Sequence, residues 1–165
     1  MLISKSNLSR GSLSGEVAIV TGAGRGIGYE AARALAWLGA SVIIAEIDEE
    51  SGRRAQESIV RESGKALFAR TDIGDEASIR KLAQTSIEAF GRVDIVLNNA
   101  TVFPMGAVVD GSIDDWDRSY RVNLRGPVLL AKIFLPDMLK RKHGTFVCVS
   151  SSGAAPYMGA YEVFK

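Results

Sequence analysis

Short apolar runs alternate with longer segments of helical period along almost the whole chain, and this alternation limits the possible fold more than any other feature. The runs predict strands at residues 16–21, 41–46, 66–70, 94–98 and 145–150. Their centres consist of Val, Ile, Leu, Ala or Phe, which is typical of strands covered by helices on both faces. The sequence therefore predicts an α/β fold, a doubly wound parallel sheet in three αβα layers.

Helical segments between these runs carry apolar side chains at intervals of three and four residues. The first has such a stripe at Ile27, Ala31, Ala34, Leu35 and Leu38. Glycines at positions 39, 64, 91 and 144 follow helical segments, and a glycine there can adopt the left-handed conformation that ends a helix. Each next strand begins within a few residues of its glycine.

The segment after the fourth strand has its own helix signals. Ser112 and Asp115 have the spacing of a capping box and predict a helix through Trp116. Pro127 and Pro136 follow, and proline inside a helix removes a donor and clashes with the preceding turn. We therefore expect a break or kink near Pro127 and another near Pro136.

The composition fits one globular domain and favours few partner classes. The chain has 165 residues and a formal charge of +1, so its charge balance does not favour nucleic acid or an anionic membrane as partner. No stretch approaches the roughly 18 apolar residues of a membrane span.

Residues 1–14 are predicted to be a flexible leader before a domain at 15–165, in a protein of the cytoplasm. Cys148 is expected to be a buried strand residue, and the single histidine, His143, leaves little material for a histidine triad or metal cluster.

A glycine-rich turn follows the first strand directly. Gly22, Gly26 and Gly28 are spaced G-x-x-x-G-x-G at the start of a helical segment. Glycine allows a sharp turn and lets a pyrophosphate approach the N–H groups at a helix N-terminus. This context predicts a dinucleotide site, and the alternative is a tight connection between strand and helix.

Acidic residues at the end of the second strand bear on which dinucleotide binds. A carboxylate there accepts hydrogen bonds from the adenosine ribose and repels a 2′-phosphate, which favours NAD over NADP. Glu46 ends the strand and is the better candidate, whereas Asp48 is better explained as an N-cap. Arg25, inside the glycine turn, favours NADP instead because a guanidinium can bind a 2′-phosphate. We expect NAD, with NADP as the alternative.

Five motifs together resemble one known family. They are the turn at residues 21–28, Asn98-Asn99-Ala100 after the fourth strand, Asn123, the serines at 150–152, and Tyr161 with Lys165. In order and context they are similar to the motifs of short-chain dehydrogenases/reductases, and the resemblance covers residues 16–165. It implies a Rossmann-type fold and an oxidoreductase that transfers a hydride between NAD(P) and an alcohol or carbonyl compound. It also implies a homodimer or homotetramer.

The resemblance also implies roles for individual residues. Asp72 and Ile73 would hold the adenine, Asn99 and Ala100 would line the adenosine ribose, and Lys165 would hold the nicotinamide ribose. The full expected set of cofactor-binding residues is Gly22, Gly24, Arg25, Gly26, Ile27, Gly28, Glu46, Asp72, Ile73, Asn99, Ala100, Tyr161 and Lys165. The alternative for Asp72 is a turn residue.

The expected catalytic residues are Asn123, Ser151, Tyr161 and Lys165. Residues four apart share one face of a helix, so Lys165 would lie beside Tyr161, and an ammonium there favours the phenolate. In the family pattern the tyrosine exchanges a proton with the substrate oxygen, the serine polarises that oxygen, and the asparagine supports a water relay. Ser150 is the alternative serine. Asn123 is alternatively a buried polar residue that satisfies helix backbone.

Two departures from the family pattern affect these expectations. Thr101 stands where the family usually has glycine, and its β-branched side chain is expected to alter the loop and the placement of the nicotinamide. Family members also continue well past the lysine of the motif, so the resemblance implies that the final part of the fold lies outside this chain. The alternative function is a truncated, non-catalytic domain for nucleotide binding or oligomerisation.

Overall fold

A computed structural model describes residues 8–151 and 159–165 of the chain. Five strands alternate with helices, as the sequence predicts. The strands are β1 Val17–Thr21, β2 Ser41–Glu46, β3 Lys65–Arg70, β4 Ile95–Asn98 and β5 Thr145–Cys148. The helices are α1 Gly26–Trp37, α2 Glu49–Arg61, α3 Glu76–Phe90, α4 Ile113–Ser119, α5 Gly126–Arg141 and α6 Ala160–Phe164.

The strands form one parallel sheet in the order β3-β2-β1-β4-β5. In β1, Ala18 lies opposite Val42 of β2 and opposite Ile95 of β4, so β1 is central. The strands that follow β1 in the chain are added first on one side of it, as β2 and β3, and then on the other, as β4 and β5, so β1 and β4 form a switch point. Ligands of open α/β sheets bind at such a switch point, outside the carboxyl ends of the strands. The predicted fold class, a doubly wound α/β sheet, is confirmed.

The two faces of the sheet bury separate hydrophobic clusters. Ile19 and Ile43 point to a cluster that α3 and α5 cover through Leu82 and Leu130. Alternate residues of the same strands point the other way, to a cluster that α1 and α2 cover, with Ile59 among its members. Side chains in a strand alternate between faces, so apolar residues at consecutive positions of β1 and β2 serve both layers.

Helix endings follow the predicted positions but not always the predicted residue. Gly39 and Gly91 have φ of +102° and +80°, as expected of glycines that end helices. After α2 the left-handed residue is Ser63 with φ +67°, so the prediction for Gly64 was wrong. A Cβ at Gly64 would lie 2.7 Å from the Ile59 side chain, so close packing is what requires glycine there.

The two prolines behave differently from each other. A π-helical segment, Tyr120–Arg125, leads directly from α4 into α5, and Pro127 lies just after it, in the first turn of α5. Helix α5 continues through Pro136, so the helix does not break there. Phe134 and Met138 on either side of it are buried against the sheet, and this packing stabilises the helix despite one lost hydrogen bond.

Burial corrects two further expectations. The buried residues of α1 are the small ones, Gly28, Ala32 and Ala36, whereas Ile27 is 73% exposed. Cys148 is exposed, since β5 is the outermost described strand on its side of the sheet and, of its residues, only Phe146 packs against the core.

The segment before β1 contacts the rest of the fold. The N–H groups of Gly11 and Leu13 both donate to the carbonyl oxygen of Leu38, at 3.0 and 2.9 Å. Among the described residues, no helix is long and apolar enough to cross a membrane.

Candidate active site

A cavity of about 700 Å³ opens at the carboxyl ends of the strands, on the switch point between β1 and β4. Residues from the turns after β1, β2, β3 and β4 line it, although they are far apart in the sequence. Nine predicted cofactor residues are among them: Gly22, Arg25, Ile27, Gly28, Glu46, Asp72, Ile73, Asn99 and Ala100. Gly24, Gly26, Tyr161 and Lys165 do not line this cavity.

The glycine turn is packed so closely that two of its residues have no room for a side chain. Gly22 has φ +63°, and a Cβ on it would lie 2.9 Å from Ala100 Cα. A Cβ on Gly28 would overlap the carbonyl oxygen of Gly22 and lie 2.5 Å from the Asn99 amide nitrogen. These two glycines are therefore required by the contact between the turn and the loop after β4, as well as by any ligand.

Helix α1 begins without a side-chain cap. Arg25 occupies the N-cap position and makes no capping hydrogen bond, and the first turn of α1 contains no acidic residue. A Cβ at Gly26 would meet nothing within 4 Å, so the space in front of the helix is open. Free N–H groups and the positive end of the helix dipole attract an anion, and these residues therefore fit a pyrophosphate.

Glu46 is held in place by backbone donors from the turns after β1 and β2. Its carboxylate accepts from the N–H of Gly24 at 3.0 Å, from Ile47 at 2.9 Å and from Asp48 at 3.2 Å. A Cβ at Gly24 would lie 2.9 Å from this carboxylate, so a larger residue there would displace the Glu46 side chain. The result is a pre-oriented negative charge at the end of β2.

The two nearby aspartates have local structural roles. Asp48 caps α2, since its carboxylate accepts from the Ser51 N–H at 2.8 Å. Asp72 accepts from the Gly74 N–H at 2.8 Å and so forms a turn, while it also lines the cavity beside the buried Ile73. The turn interaction and a role in binding adenine are compatible for Asp72.

The loop after β4 is bonded to the end of β1. The Thr21 hydroxyl accepts from the N–H groups of Asn99 and Ala100, at 3.0 and 2.9 Å. The Asn99 side-chain amide donates to the carbonyl oxygen of Thr21 at 3.0 Å. Thr21 is fully buried, so these bonds hold the loop against the glycine turn in a region without solvent.

Asn123 lies in the π-helical segment and is 7% exposed. Its Oδ1 accepts from the Val102 N–H at 2.9 Å and from the Thr101 hydroxyl at 3.0 Å, and its Nδ2 donates to the Val102 carbonyl oxygen at 3.0 Å. Its partners are thus in the loop after β4, whereas the alternative derived from the sequence involved helix backbone. Thr101 takes part in this bonding, which the sequence did not reveal.

Tyr161 lies on the short helix α6, and Lys165 follows it as the C-cap residue. The Lys165 N–H donates to the Tyr161 carbonyl oxygen at 3.0 Å, so the two residues are one helical turn apart. The Tyr161 ring packs edge-on against Phe103, with 4.4 Å between centroids, and Phe164 packs against Trp116 and Tyr120. These contacts bring α6 against α4 and the π-helical segment that carries Asn123.

Burial lowers the pKa of Lys165, and the nearby Cys148 sulfur opposes this effect more weakly. Desolvation disfavours the charged ammonium, which makes proton release easier than from an exposed lysine.

The two candidate serines follow β5. The Ser150 hydroxyl donates to the carbonyl oxygen of Lys165 at 2.8 Å, and Ser151 is exposed. Residues 152–158, which contain the third serine of the run and most of the loop to α6, lie outside the described residues.

Some residues that line the cavity carry no signal in the sequence. Arg118, Arg121 and Val122 reach it from the end of α4 and the π-helical segment, and Thr71 and Asp75 reach it from around the turn after β3. Exposed arginines of this kind are common on helices. Only the packing of these elements beside β4 identifies them.

A parallel sheet with an uncapped helix and a glycine turn at its switch point defines a dinucleotide-binding α/β domain. The family profile described as short chain dehydrogenase matches residues 16–163. The chain belongs to the short-chain dehydrogenase family.

Curated relatives agree with this assignment. Two uncharacterized oxidoreductases of Thermotoga maritima are 37% identical over 142 residues and 39% identical over 157 residues, covering 86% and 93% of this chain. A meso-2,3-butanediol dehydrogenase of Serratia marcescens is 36% identical over 145 residues, or 88% of this chain. The chain spans only 56%, 62% and 57% of the lengths of these relatives.

Solved structures show the same fold. A metagenomic short-chain oxidoreductase in complex with NADP matches with a TM-score of 0.88 and 37% identity, over 93% of this chain and 72% of that one. A short-chain dehydrogenase/reductase from Burkholderia phymatum in complex with NAD also has a TM-score of 0.88, with 31% identity, over 92% of this chain and 56% of that one.

Proposed function

We propose that this chain is the cofactor-binding part of an NAD(P)-dependent dehydrogenase or reductase that interconverts an alcohol and a carbonyl compound. The observation that carries the proposal is the cavity in front of the uncapped N-terminus of α1, with the Glu46 carboxylate at its side. The NADP and NAD complexes of similar proteins support it.

Several residues would hold the cofactor. The N–H groups of the turn, around Gly22, Gly24, Arg25, Gly26, Ile27 and Gly28, would receive the pyrophosphate. Glu46 would accept from the adenosine ribose, with Asn99 and Ala100 beside it, while Asp72 and Ile73 would contact the adenine. Lys165 would bind the nicotinamide ribose. The bound cofactor supplies the hydride chemistry.

The other residues would transfer the proton and bind the substrate oxygen. The Tyr161 hydroxyl would give a proton to the substrate carbonyl oxygen in reduction and take it back in oxidation. The Lys165 ammonium would stabilise the phenolate left after donation. Ser151, or Ser150 as the alternative, would donate a hydrogen bond to the same oxygen, and Asn123 would support the arrangement through the loop after β4.

NAD is the proposed cofactor, and NADP is the alternative. The fixed Glu46 carboxylate would repel a 2′-phosphate, and this charge lies at the cavity wall. Arg25 lines the same cavity, and its guanidinium is the group that would donate hydrogen bonds to a 2′-phosphate.

We extend the proposal to the setting of the protein. The domain would comprise residues 15–165, preceded by a leader at 1–14. The protein would act in the cytoplasm as a homodimer or homotetramer on a small alcohol or ketone, independently of nucleic acid and membranes. Gel filtration with light scattering tests the oligomeric state.

The Tyr161→Phe variant tests the chemistry. We expect turnover to fall by about 10²–10⁴-fold, because general acid–base catalysis contributes that much, while NADH affinity stays nearly unchanged. Turnover is followed by NADH absorbance with a panel of alcohols and ketones, and affinity by calorimetric titration.

Tyr120→Phe is the matched control, because Tyr120 packs against the same helix α6 and has no proposed proton role. Retained turnover in Tyr161→Phe would contradict the catalytic assignment. NADH binding by the wild-type chain without turnover on any substrate would favour the alternative, a non-catalytic nucleotide-binding domain. Absence of NADH binding would contradict the proposal as a whole.

A further inference from the structure

The segment 99–102, here called the strap, is fastened at both ends by side chains from other elements. At its first end the buried Thr21 hydroxyl receives the N–H groups of Asn99 and Ala100. At its second end the Asn123 side-chain amide pairs with both the N–H and the carbonyl oxygen of Val102. All four residues of the strap line the cavity.

The orientation of the Asn123 amide follows from its partners. The Val102 N–H requires an acceptor and the Val102 carbonyl oxygen requires a donor, so Oδ1 and Nδ2 each have one possible place. A carbonyl oxygen has two lone pairs, and the Val102 N–H uses one of them. The Thr101 hydroxyl, at 3.0 Å, takes the other.

Thr101 has a weaker alternative for its hydroxyl. Its Oγ1 lies 3.3 Å from the Val102 carbonyl oxygen, which already receives Nδ2 of Asn123 at 3.0 Å. Each of these two oxygens already accepts one hydrogen bond and has a second lone pair, so it is the shorter contact that favours donation to Asn123 Oδ1. Because Thr101 is exposed at the cavity and Asn123 is buried behind it, the hydroxyl lies between Oδ1 and the cavity.

We propose that Thr101 is a positioning residue whose hydroxyl fixes the second end of the strap to Asn123 and keeps Asn123 Oδ1 from bonding to a ligand or to water in the cavity. Asn123 then acts on the site through the strap. The inference rests on the proposed function, since the strap matters as a wall of the dinucleotide cavity. A mobile wall costs binding energy because the ligand must order it.

The test compares Thr101→Val, which keeps the branched shape and loses the hydroxyl, with Thr101→Ser, which keeps the hydroxyl. We expect Thr101→Val to raise the NADH dissociation constant roughly two- to tenfold, the range that one net hydrogen bond contributes, and Thr101→Ser to restore most of the affinity. The titration is made well below the unfolding temperature, where a general loss of stability leaves the dissociation constant unchanged.

A double-mutant cycle identifies the partner. If Thr101 acts through Asn123, adding Thr101→Val to Asn123→Ala changes NADH affinity little further, because the acceptor is already absent. Equal effects of Thr101→Val in both backgrounds would overturn the proposal, and so would wild-type affinity in Thr101→Val.

Amide hydrogen exchange tests the positioning role of Thr101 separately from the proposed function, because it needs no ligand. The Val102 N–H is expected to exchange faster in Thr101→Val than in wild type and Thr101→Ser, even in protein without ligand. Failure of the wild type to bind NADH would refute the proposed function alone. Unchanged Val102 exchange in Thr101→Val would refute the positioning role alone.

Discussion

Glu46 illustrates how a single residue can both shape the cavity and select its ligand. Its carboxylate bridges the turn after β1 and the turn after β2 through three backbone N–H groups. The position of an acidic residue at the end of β2 was predictable from the strand pattern. Its hydrogen bond to Gly24 was not predictable, because that bond depends on the two turns meeting at the carboxyl ends of the strands.

Removal of the Glu46 charge is expected to change cofactor preference. In Glu46→Gln the ratio of NADPH to NADH dissociation constants should fall by about tenfold, because a negative charge near the proposed place of the 2′-phosphate is gone. Competitive titration with both dinucleotides measures the ratio. Glu88→Gln, the same change on the exposed side of α3, is the control, and an equal shift in both variants would contradict a local role for Glu46.

Thr101 and Asn123 mark the limit of inference from single residues. The resemblance predicted that Asn123 matters and that a threonine in place of glycine would alter the loop. The hydrogen bond between them was hidden because 22 positions separate the two residues, and only the packing of the π-helical segment beside the loop joins them.

At the scale of elements, the chain after β4 was the least predictable part. The capping box did predict the start of α4, where the Ser112 hydroxyl accepts from the Asp115 N–H at 3.1 Å. The expected interruption near Pro127 takes the form of a π-helical segment, Tyr120–Arg125, placed just before it. Such segments are often found at functional sites, and this one carries Asn123.

Buried serines on two helices provide a test of packing at this scale. Ser86 and Ser119 are both fully buried, but the Ser86 hydroxyl donates to the Leu82 carbonyl oxygen at 2.7 Å, whereas the Ser119 hydroxyl has no partner among the described residues. A buried hydroxyl without a partner costs stability, so its removal is favourable.

We therefore expect Ser119→Ala to be at least as stable as wild type, and more stable than Ser86→Ala by about 1 kcal/mol. Both changes gain the same helix propensity, so their difference isolates the hydrogen bond. Urea unfolding measures both free energies. A greater loss of stability in Ser119→Ala than in Ser86→Ala would mean that Ser119 has a partner in the folded protein.

At the scale of the whole molecule, one buried carboxylate joins elements at the amino ends of the strands, opposite the cavity. Asp94 accepts from the Val17 N–H at 3.0 Å, from Arg92 at 2.8 Å and from Arg141 at 2.8 Å. Arg141 also donates to the Val93 carbonyl oxygen at 2.6 Å. These bonds tie β1, the start of β4 and the end of α5 together.

Burial by itself raises the pKa of Asp94, but the hydrogen bonds from Val17, Arg141 and Arg92 outweigh it and hold that pKa below its usual range. A lowered pKa in the folded state means that Asp94 contributes its full stability above the pKa of the unfolded chain, about 4. The contribution is lost as pH falls through the lower pKa of the folded state.

Asp94→Asn is expected to lower the free energy of unfolding at pH 7 by about 3 kcal/mol, because two arginines lose their charged partner. Below pH 4 the difference from wild type should narrow. Denaturant unfolding between pH 7 and pH 3 measures both effects. Asp137→Asn, which removes an exposed partner of Arg141, should cost under about 1 kcal/mol, and a loss in Asp94→Asn that is equally large at pH 7 and pH 3 would contradict the titration.

The sequence by itself determined the α/β class, the order of strands and helices, the glycine turn and the motif residues, because period, apolar runs and glycine spacing are local properties. It did not show that Cys148 is exposed or that α5 is unbroken at Pro136, because both depend on what lies beside an element. The tertiary structure alone decided that Arg118 and Arg121 line the cavity, that Thr101 bonds to Asn123, and that Asp94 joins three elements. Those relations depend on distances between residues far apart in the chain, which only the packed sheet and helices bring together.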